Sequence, residues 1–211
     1  NLQVGGTIFN DGMIAGQGTS FSNLINRGDI RAINGSLLFQ NDNIHNYGSI
    51  AASDGGQLYF SGTIENPGTI ELDASGHQTQ LVIMGERLNY DTGELEGGPG
   101  ATLTGGGTLR LSDDPNNVIL GSSPTYCLGL CYPDGPAAQL VNVDNAIEGA
   151  GMIGEDAPNL RLSLVNHGLV DANASNPLIL TLDDSSNDGV IQASHGGTLV
   201  LAKGAIDNTN G

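Results

Sequence analysis

The amino-acid sequence predicts an all-β protein: a right-handed single-stranded parallel β-helix, or solenoid, of coils of about 20 residues with one inserted loop. Three observations predict this fold: a glycine-rich aliphatic composition, a repeated phrase in both halves of the chain, and alternating apolar residues within each repeat. Gly accounts for 33 of the 211 residues, whereas aromatic residues make up 4% and Trp is absent. Aliphatic side chains must therefore fill the interior, which favours stacked repeats.

The repeat is clearest near the amino terminus of the sequence. Three phrases recur at intervals of 20 residues, each with a central Asn followed two positions later by Gly, namely 24–30, 44–50 and 64–70. Related phrases lie around Gly12, Gly168 and Gly189. The second half of each unit is also similar, so that the consensus reads I-x-N-x-G-x-I-x-A-x-x-G-G-x-L-x-F/L. We therefore expect residues 1–211 to form a single solenoid domain.

The elements within one unit follow from its alternation. Gly48-x-Ile50-x-Ala52 and Leu58-x-Phe60 have the period of a strand with one buried face. Gly and Asn between these stretches tolerate positive φ and predict corners. Three short strands and three corners fit one unit, and coils stacked at about 4.8 Å would enclose an aliphatic interior. Right-handedness is favoured because parallel crossovers strongly prefer it.

The repeated Asn residues are expected to stack at one corner as a structural ladder of side-chain amides. The members are Asn10, Asn26, Asn46, Asn66, Asn166 and Asn187. The competing interpretation is an outward-facing row presented to a glycan. One position later, Asp11 is expected beside Arg27 and His167 beside Asp188 on adjoining coils, which supports the alignment.

Two segments interrupt the repeat. Gly107 and Gly151, aligned as equivalent positions, stand much more than one coil apart, so residues 112–140 are predicted to be an inserted loop. This loop contains four of the 8 Pro residues, both cysteines, and Tyr126 and Tyr132 as candidate binding residues. A second, smaller excursion at 85–98 is expected to be the only part that could form a short helix.

Cys127 and Cys131 are the only cysteines. The interpretation favoured here is a small disulfide that pins the tip of the loop, which would imply an oxidising, extracytoplasmic setting. A zinc site is disfavoured because no second Cys pair accompanies them. Free thiols are the other alternative.

Charge and hydropathy exclude several classes of partner. The net charge is -17, and the 6 Lys and Arg residues are scattered, so nucleic acid and anionic membranes are poor partners. The longest apolar runs fall far short of a membrane span of about 20 residues. No targeting segment is visible, and both ends of the sequence fall inside the repeat without polar caps, so we expect a segment of a longer array.

No catalytic site is expected. Asp183 and Asp184 are half a coil away from His195, which would put them on opposite sides of the tube. Asp113 and Asp114 have no carboxylate partner one coil upstream, and neither pair is expected to have a nearby Arg or Lys that stabilises developing charge. The sequence therefore predicts a protein that is not an enzyme.

No cofactor or metal is expected, and calcium has only weak support. Residues 184–189 match the first half of a calcium-binding loop, but His195 occupies the position where a Glu should close the site. Residues 97–103 are similar to a calcium-binding nonapeptide, yet Thr102 replaces its Asp.

The units Ile44-His45-Asn46-Tyr47-Gly48-Ser49-Ile50 and Leu103-Thr104-Gly105-Gly106-Gly107-Thr108-Leu109 resemble the β-helical arrays of large bacterial surface proteins, namely autotransporter passengers and adhesins of the filamentous haemagglutinin type. The resemblance covers most of the chain outside residues 112–140. It implies secretion to the cell surface, a right-handed β-helix, and an adhesive or spacer role. The loop with two cysteines departs from this family, whose passengers are generally poor in Cys.

These observations lead to the expectation of a noncatalytic, extracellular structural or adhesive rod. Its expected partners are further coils of the same chain or other copies stacked end to end, and a surface glycan or protein on a host or neighbouring cell. One alternative is a self-assembling subunit of an extracellular filament or sheath. Another is a polysaccharide-binding or -degrading β-helix protein, although the Gly-His-Gly and Arg-x-Lys patterns of polygalacturonases do not occur.

Overall fold

The computed structural model describes residues 6–20, 22–39, 43–88, 95–96, 98–122, 126–127, 131–132, 136–157 and 159–209. Within these ranges the chain is all-β and contains no helix, and two large sheets are built from parallel strands. The predictions of an all-β class and of parallel strands are confirmed. The strands are β1 (Thr7–Asn10), β2 (Met13–Ser20), β3 (Asn23–Asn26), β4 (Asp29–Phe39), β5 (Asn43–Asn46), β6 (Ser49–Ser53), β7 (Gln57–Phe60), β8 (Gly62–Glu65), β9 (Thr69–Asp73), β10 (Thr79–Met84), β11 (Arg87–Leu88), β12 (Leu95–Glu96), β13 (Gly100–Thr104), β14 (Thr108–Leu111), β15 (Asn117–Ser122), β16 (Tyr126–Cys127), β17 (Cys131–Tyr132), β18 (Ala138–Asn142), β19 (Ala146–Glu148), β20 (Gly151–Ile153), β21 (Leu162–Asn166), β22 (Leu169–Ala172), β23 (Leu178–Thr181), β24 (Ser185–Asn187), β25 (Val190–Ala193), β26 (Leu199–Lys203) and β27 (Ile206–Asp207).

The parallel strands form three ladders that the chain visits in turn. The first ladder has the order β1-β3-β5-β8-β13-β18-β21-β24-β27. The long strands β2 and β4 each serve two ladders, because β6 pairs with the first half of β4 and β7 with its second half. The second ladder continues from β6 through β9, β14, β19 and β22 to β25, and the third continues from β7 through β10, β15, β20 and β23 to β26. We call one pass through the three ladders a coil. Coils 1 to 8 run from β1 to β26.

Aliphatic side chains align in columns inside the ladders. In the second ladder Ile30 pairs with Ile50 and Ile50 with Ile70, and each is at most 2% exposed. In the third ladder Leu58, Leu81 and Ile119 are paired in the same way and fully buried. Burial of such a side chain stabilises the fold by about 1.5–3 kcal/mol. The alternation seen in the sequence therefore corresponds to one face turned into a continuous core.

The corners bring the backbones of adjacent coils very close together. At Gly68, an added Cβ would lie 2.2 Å from the carbonyl oxygen of Gly48. The peptide nitrogen of Gly68 donates to the carbonyl oxygen of Asn46 at 2.8 Å, and that of Thr69 donates to Gly48 at 2.9 Å. Glycine recurs at this corner because only a residue without a side chain permits such an approach.

The inserted loop is shorter than predicted. Residues 117–122 form β15, which pairs with β10 and β20 in the third ladder, and Ala138 begins β18. The prediction of an insertion over 112–140 is thus wrong at both ends, and the excursion covers 123–137. The cause is a misalignment: Gly107 precedes the second-ladder strand β14, whereas Gly151 begins β20 in the third ladder.

Three excursions leave the repeat at the same corner. Residues 85–99, 123–137 and 154–161 each connect a strand of the third ladder to the next strand of the first ladder, in coils 4, 5 and 6. We call this corner the excursion corner. The helix expected within 85–98 is wrong for the part that the structure describes, because β11 and β12 pair there as antiparallel strands.

Candidate functional site

The regular part of the asparagine ladder is a buried column of side-chain amides. Asn10 Nδ2 donates to Asn26 Oδ1 at 2.7 Å, Asn26 to Asn46 at 2.8 Å, and Asn46 to Asn66 at 2.7 Å. Nδ2 of Asn10, Asn26 and Asn46 also donates to a backbone carbonyl of the next coil. These four side chains are at most 6% exposed, so they face the interior and do not form an outward row for a glycan.

The column crosses coil 5 without an asparagine from that coil. In coil 5, Gly105 occupies the position equivalent to that of Asn66. Leu103 pairs with Ile64, and Gly105 and Asn66 each follow two residues later. Asn66 Nδ2 donates across the gap to Oδ1 of Asn145 in coil 6 at 2.9 Å. The absence of a Cβ at Gly105, where one would lie 3.0 Å from the backbone of Asn66, leaves room for this contact.

A register shift accompanies the bridge. Asn142 pairs with Leu103, so the first ladder moves by two residues between coils 5 and 6. Oδ1 of Asn142 accepts the peptide N–H of Asn145 at 3.1 Å, and its Nδ2 donates to Asn166 Oδ1 at 2.8 Å. We call this arrangement of Gly105, Asn142 and Asn145 the junction.

Beyond the junction the column resumes its simple form. Asn166 donates to Asn187 at 2.7 Å, and Asn187 donates to Asn208 at 2.6 Å. The structure therefore brings the six predicted asparagines into one column and adds Asn142, Asn145 and Asn208. Asn142 and Asn145 are not followed by Gly two positions later, so the repeat phrase does not reveal them. Asn208 begins a further unit in the sequence and could have been included.

Charged pairs accompany the column on the outer surface. Arg27 lies 3.6 Å from Asp11, and His167 contacts Asp188 on the next coil, as the alignment predicts. His45 Nδ1 lies 2.6 Å from Glu65 Oε2 in the same manner. These side chains are well exposed, so each pair contributes at most about 1 kcal/mol.

The middle excursion of the excursion corner contains the four residues proposed for binding and cross-linking. β16 and β17 form an antiparallel hairpin in which Tyr126 pairs with Tyr132 and Cys127 with Cys131. The side chains of these residues lie outside the described part of the chain. The disulfide and the tyrosine contacts therefore stay predictions.

A cleft of about 420 Å³ lies beside this excursion. Its polar lining comes from Arg161, Ser163, Asp183, Asp184 and Lys203. Arg161 Nε donates to Asp183 Oδ2, and Lys203 Nζ contacts Asp156 Oδ1 at the edge of the cleft. The expectation that no Arg or Lys accompanies Asp183 is thus wrong, because Arg161 lies at the same corner one coil earlier. Chemically, the cleft offers charged hydrogen-bonding groups, of which Arg161 and Asp183 pair with each other and Lys203 pairs with Asp156.

The second acidic pair stabilises turns. Asp113 Oδ1 accepts the peptide N–H of Asn176 at 2.7 Å, and Asp114 accepts those of Asn116 and Gly76, each at 2.8 Å. The hydrogen bond from Asn176 lowers the pKa of Asp113, and those from Asn116 and then Gly76 lower the pKa of Asp114. Both groups therefore act as acceptors that fasten turns of different coils.

The calcium-like segment 184–189 adopts ladder structure. Ser185–Asn187 is strand β24, and Asn187 is a member of the buried column. Among the described residues, no group of three His, Cys, Asp or Glu side chains is close enough to hold a metal ion. In the same part of the chain, no helix has the length and apolar character needed to span a bilayer.

Comparisons of the chain with protein-family models, curated proteins and solved structures give no match. The resemblance to bacterial surface arrays therefore rests on the repeat phrases alone.

Proposed function

We propose that the chain is a right-handed parallel β-solenoid that serves as a noncatalytic extracellular rod with a structural or adhesive role. The observation that carries this proposal is the unbroken stacking of eight coils, in which aliphatic columns and a buried asparagine column run through the whole described chain. Right-handedness follows from the strong preference of parallel crossovers.

Two features support a role in which the rod transmits mechanical force. Every coil is bonded to the next through three parallel ladders, so a force on one coil is shared by many hydrogen bonds. The column persists even where coil 5 lacks its asparagine, because Asn145 reaches across to Asn66 at 2.9 Å.

The state of the acidic groups supports a noncatalytic role. Asp113 and Asp114 are committed to turns, and Asp183 is paired with Arg161. A general acid and a general base need different environments and access to one substrate. The Asp113–Asp114 pair accepts hydrogen bonds from turns of other coils, and Asp183 points to the excursion corner.

The excursion corner supports an adhesive contribution. Loops on a rigid scaffold commonly carry binding residues, and here three of them emerge on consecutive coils. Residues separated widely along the chain are thereby gathered at one edge of the rod. We assign the contact with a surface glycan or protein to this corner.

The test uses beads coated with the full 211-residue chain and applied to glycan arrays and to cultured cells. A variant in which 128–130 is replaced by Gly-Ser-Gly keeps the ladders but alters the hairpin loop, and Asp11→Asn is a matched control far from the excursion corner. We expect adhesion by the parent and the control and a loss of at least about tenfold in the loop variant.

Release of reducing ends from polysaccharides by the purified chain would overturn the noncatalytic proposal. Adhesion that is equal in the parent and the loop variant would overturn the assignment of contact to the middle excursion. Absence of adhesion in every sample would leave a purely structural rod and remove the adhesive role.

A further inference from the structure

The outer surface of the second ladder has two carboxylates side by side. Glu148 of coil 6 pairs with Asp171 of coil 7, and Asp171 pairs with Gln192 of coil 8. The residues that precede the two carboxylates, Ile147 and Val170, are fully buried in the core, so the carboxylates lie on the opposite, outward face and align from coil to coil. Like charges that face each other across adjacent strands repel, so this pairing needs compensation.

Asp171 is the more unusual member of the pair, because this outward-facing carboxylate is only 6% exposed. Its Oδ2 accepts from Ser194 Oγ at 2.7 Å and from Gln192 Nε2 at 3.2 Å, both in coil 8. Among the described residues, no group donates a hydrogen bond to its Oδ1, which is also shielded from solvent. A buried carboxylate oxygen without a partner is costly, and a bound ion would explain it.

The side chains aligned with Asp171 do not supply a positive charge. Its two neighbours in the ladder are Glu148 and Gln192, neither of which is basic. Arg110 lies one coil beyond Glu148, but its Nε and one of its terminal nitrogens donate to Oε1 of Glu71 in coil 4, at 3.2 and 2.6 Å. The compensating charge must therefore come from outside this column of side chains.

We propose that Glu148 and Asp171 bind a calcium ion that links coil 6 to coil 7. Oδ1 of Asp171 and a carboxylate oxygen of Glu148 are the anionic ligands. Asn173, whose Nδ2 donates to Glu148 Oε2 at 3.1 Å, adds a neutral amide oxygen beside them, and water completes the coordination shell. Calcium accepts about six to eight oxygen ligands in a flexible geometry, whereas magnesium demands a near-ideal octahedron and loses its water reluctantly. This donor set therefore favours calcium.

The composition of the site sets its affinity. Two carboxylates without a third acidic ligand predict weak binding, with a Kd of about 0.1–1 mM, as in extracellular calcium-binding modules. The inference goes beyond the proposed rod function and does not depend on it, because the register of the ladder alone places the two carboxylates together.

The test uses the full 211-residue chain. CaCl2 is titrated in isothermal titration calorimetry, and thermal unfolding is followed by circular dichroism at about ten times the measured Kd. We expect a rise in Tm of about 3–6 °C with calcium and a much smaller rise with MgCl2 at the same concentration. Glu148→Gln and Asp171→Asn should each weaken calcium binding by at least about tenfold and remove most of this rise, because each removes one anionic ligand.

Glu65→Gln is the matched control, since Glu65 is an outward carboxylate of the first ladder that contacts His45. This variant should respond to calcium like the parent. In the presence of a chelator, Asp171→Asn should melt at or above the parent, because it removes the repulsion between two carboxylates. A parent whose Tm does not rise with calcium would overturn the proposal, as would a rise that persists in both Glu148→Gln and Asp171→Asn.

Discussion

The regular coils 2 to 4 and the junction between coils 5 and 6 reach the same contacts by different means. In the regular coils, each corner has an Asn and a Gly at a fixed spacing, and Asn26, Asn46 and Asn66 bond to one another directly. At the junction the register moves by two residues, and Asn145 replaces the missing contact at Gly105. The difference teaches that the buried amide column, and not the repeat phrase, is the constant feature of this corner.

The largest expected effect tests what the two regions share. Ile50→Asp in the regular coils and Ile147→Asp at coil 6 each place an unpaired charge in the same fully buried column. We expect each to destabilise the fold by at least about 3 kcal/mol, since a buried charge without a partner is very costly. Thermal unfolding followed by circular dichroism measures this loss.

Ala51→Asp is the control for that pair, because Ala51 is the outward neighbour of Ile50 and is only half-buried. It should melt close to the parent. Equal melting of the Ile50 variant and the parent would contradict the inward placement of this column.

A smaller effect separates the regular coils from the junction through one glycine in each. Gly68→Ala would place a Cβ 2.2 Å from a backbone oxygen. Gly105→Ala would place a Cβ 3.0 Å from backbone atoms, at a residue whose φ is +103°. We expect a loss of about 2–3 kcal/mol for the first and about 1–2 kcal/mol for the second. Gly12→Ala, where a Cβ meets nothing within 4 Å, should be nearly neutral. Urea unfolding orders the three variants, and an equal loss in all of them would exclude close approach as the cause.

The bridge itself is tested by double-mutant cycles. Asn66→Ala and Asn145→Ala should each cost about 1–3 kcal/mol, because buried polar atoms lose their partners. Their effects should be coupled by about 0.5–3 kcal/mol, like those of Asn26 and Asn46 in the regular coils. The distant pair Asn66 and Asn187 should be additive. Additivity between Asn66 and Asn145 in chemical denaturation would show that the column is broken at the junction.

The smallest expected effect concerns acid. The peptide N–H groups of Asn116 and Gly76 lower the pKa of Asp114 from its ordinary value of 3.8. The ionised group therefore stabilises the fold above about pH 4, and this contribution is lost as the pH falls through the lowered pKa. Asp114→Asn should melt below the parent at about pH 7, and the difference should shrink as the pH falls through the lowered pKa of Asp114. A difference that persists at low pH would point to a cause other than ionisation.

The repeat made the regular coils predictable. Periodicity alone indicated which side chains face inward, because each repeat unit requires particular residue types at fixed positions, as at Asn46, Gly48 and Ile50. The all-β class, the parallel strands and the six members of the asparagine column required nothing more than this spacing.

The junction was not predictable because its parts lack the repeat phrase. Gly105 replaces an Asn, and Asn145 is placed by a register shift that no local pattern encodes. Gly151 was aligned with the wrong corner, since glycine is required at more than one corner, and that error extended the predicted loop over β15. The proximity of Arg161 and Asp183 depends on where the third excursion returns to the first ladder, which the spacing of charged residues does not indicate.

The asparagine column has an electrical consequence. In every direct step the amide nitrogen donates toward the later coil, and at the junction the peptide N–H of Asn145 donates to Asn142 Oδ1 within coil 6. Strands alternate the direction of their backbone dipoles and leave a small sum, but these side-chain dipoles all add, as peptide dipoles do in an α-helix. The molecule should therefore have a permanent electric moment along its long axis, so that its two faces differ in potential, and an applied field should orient it.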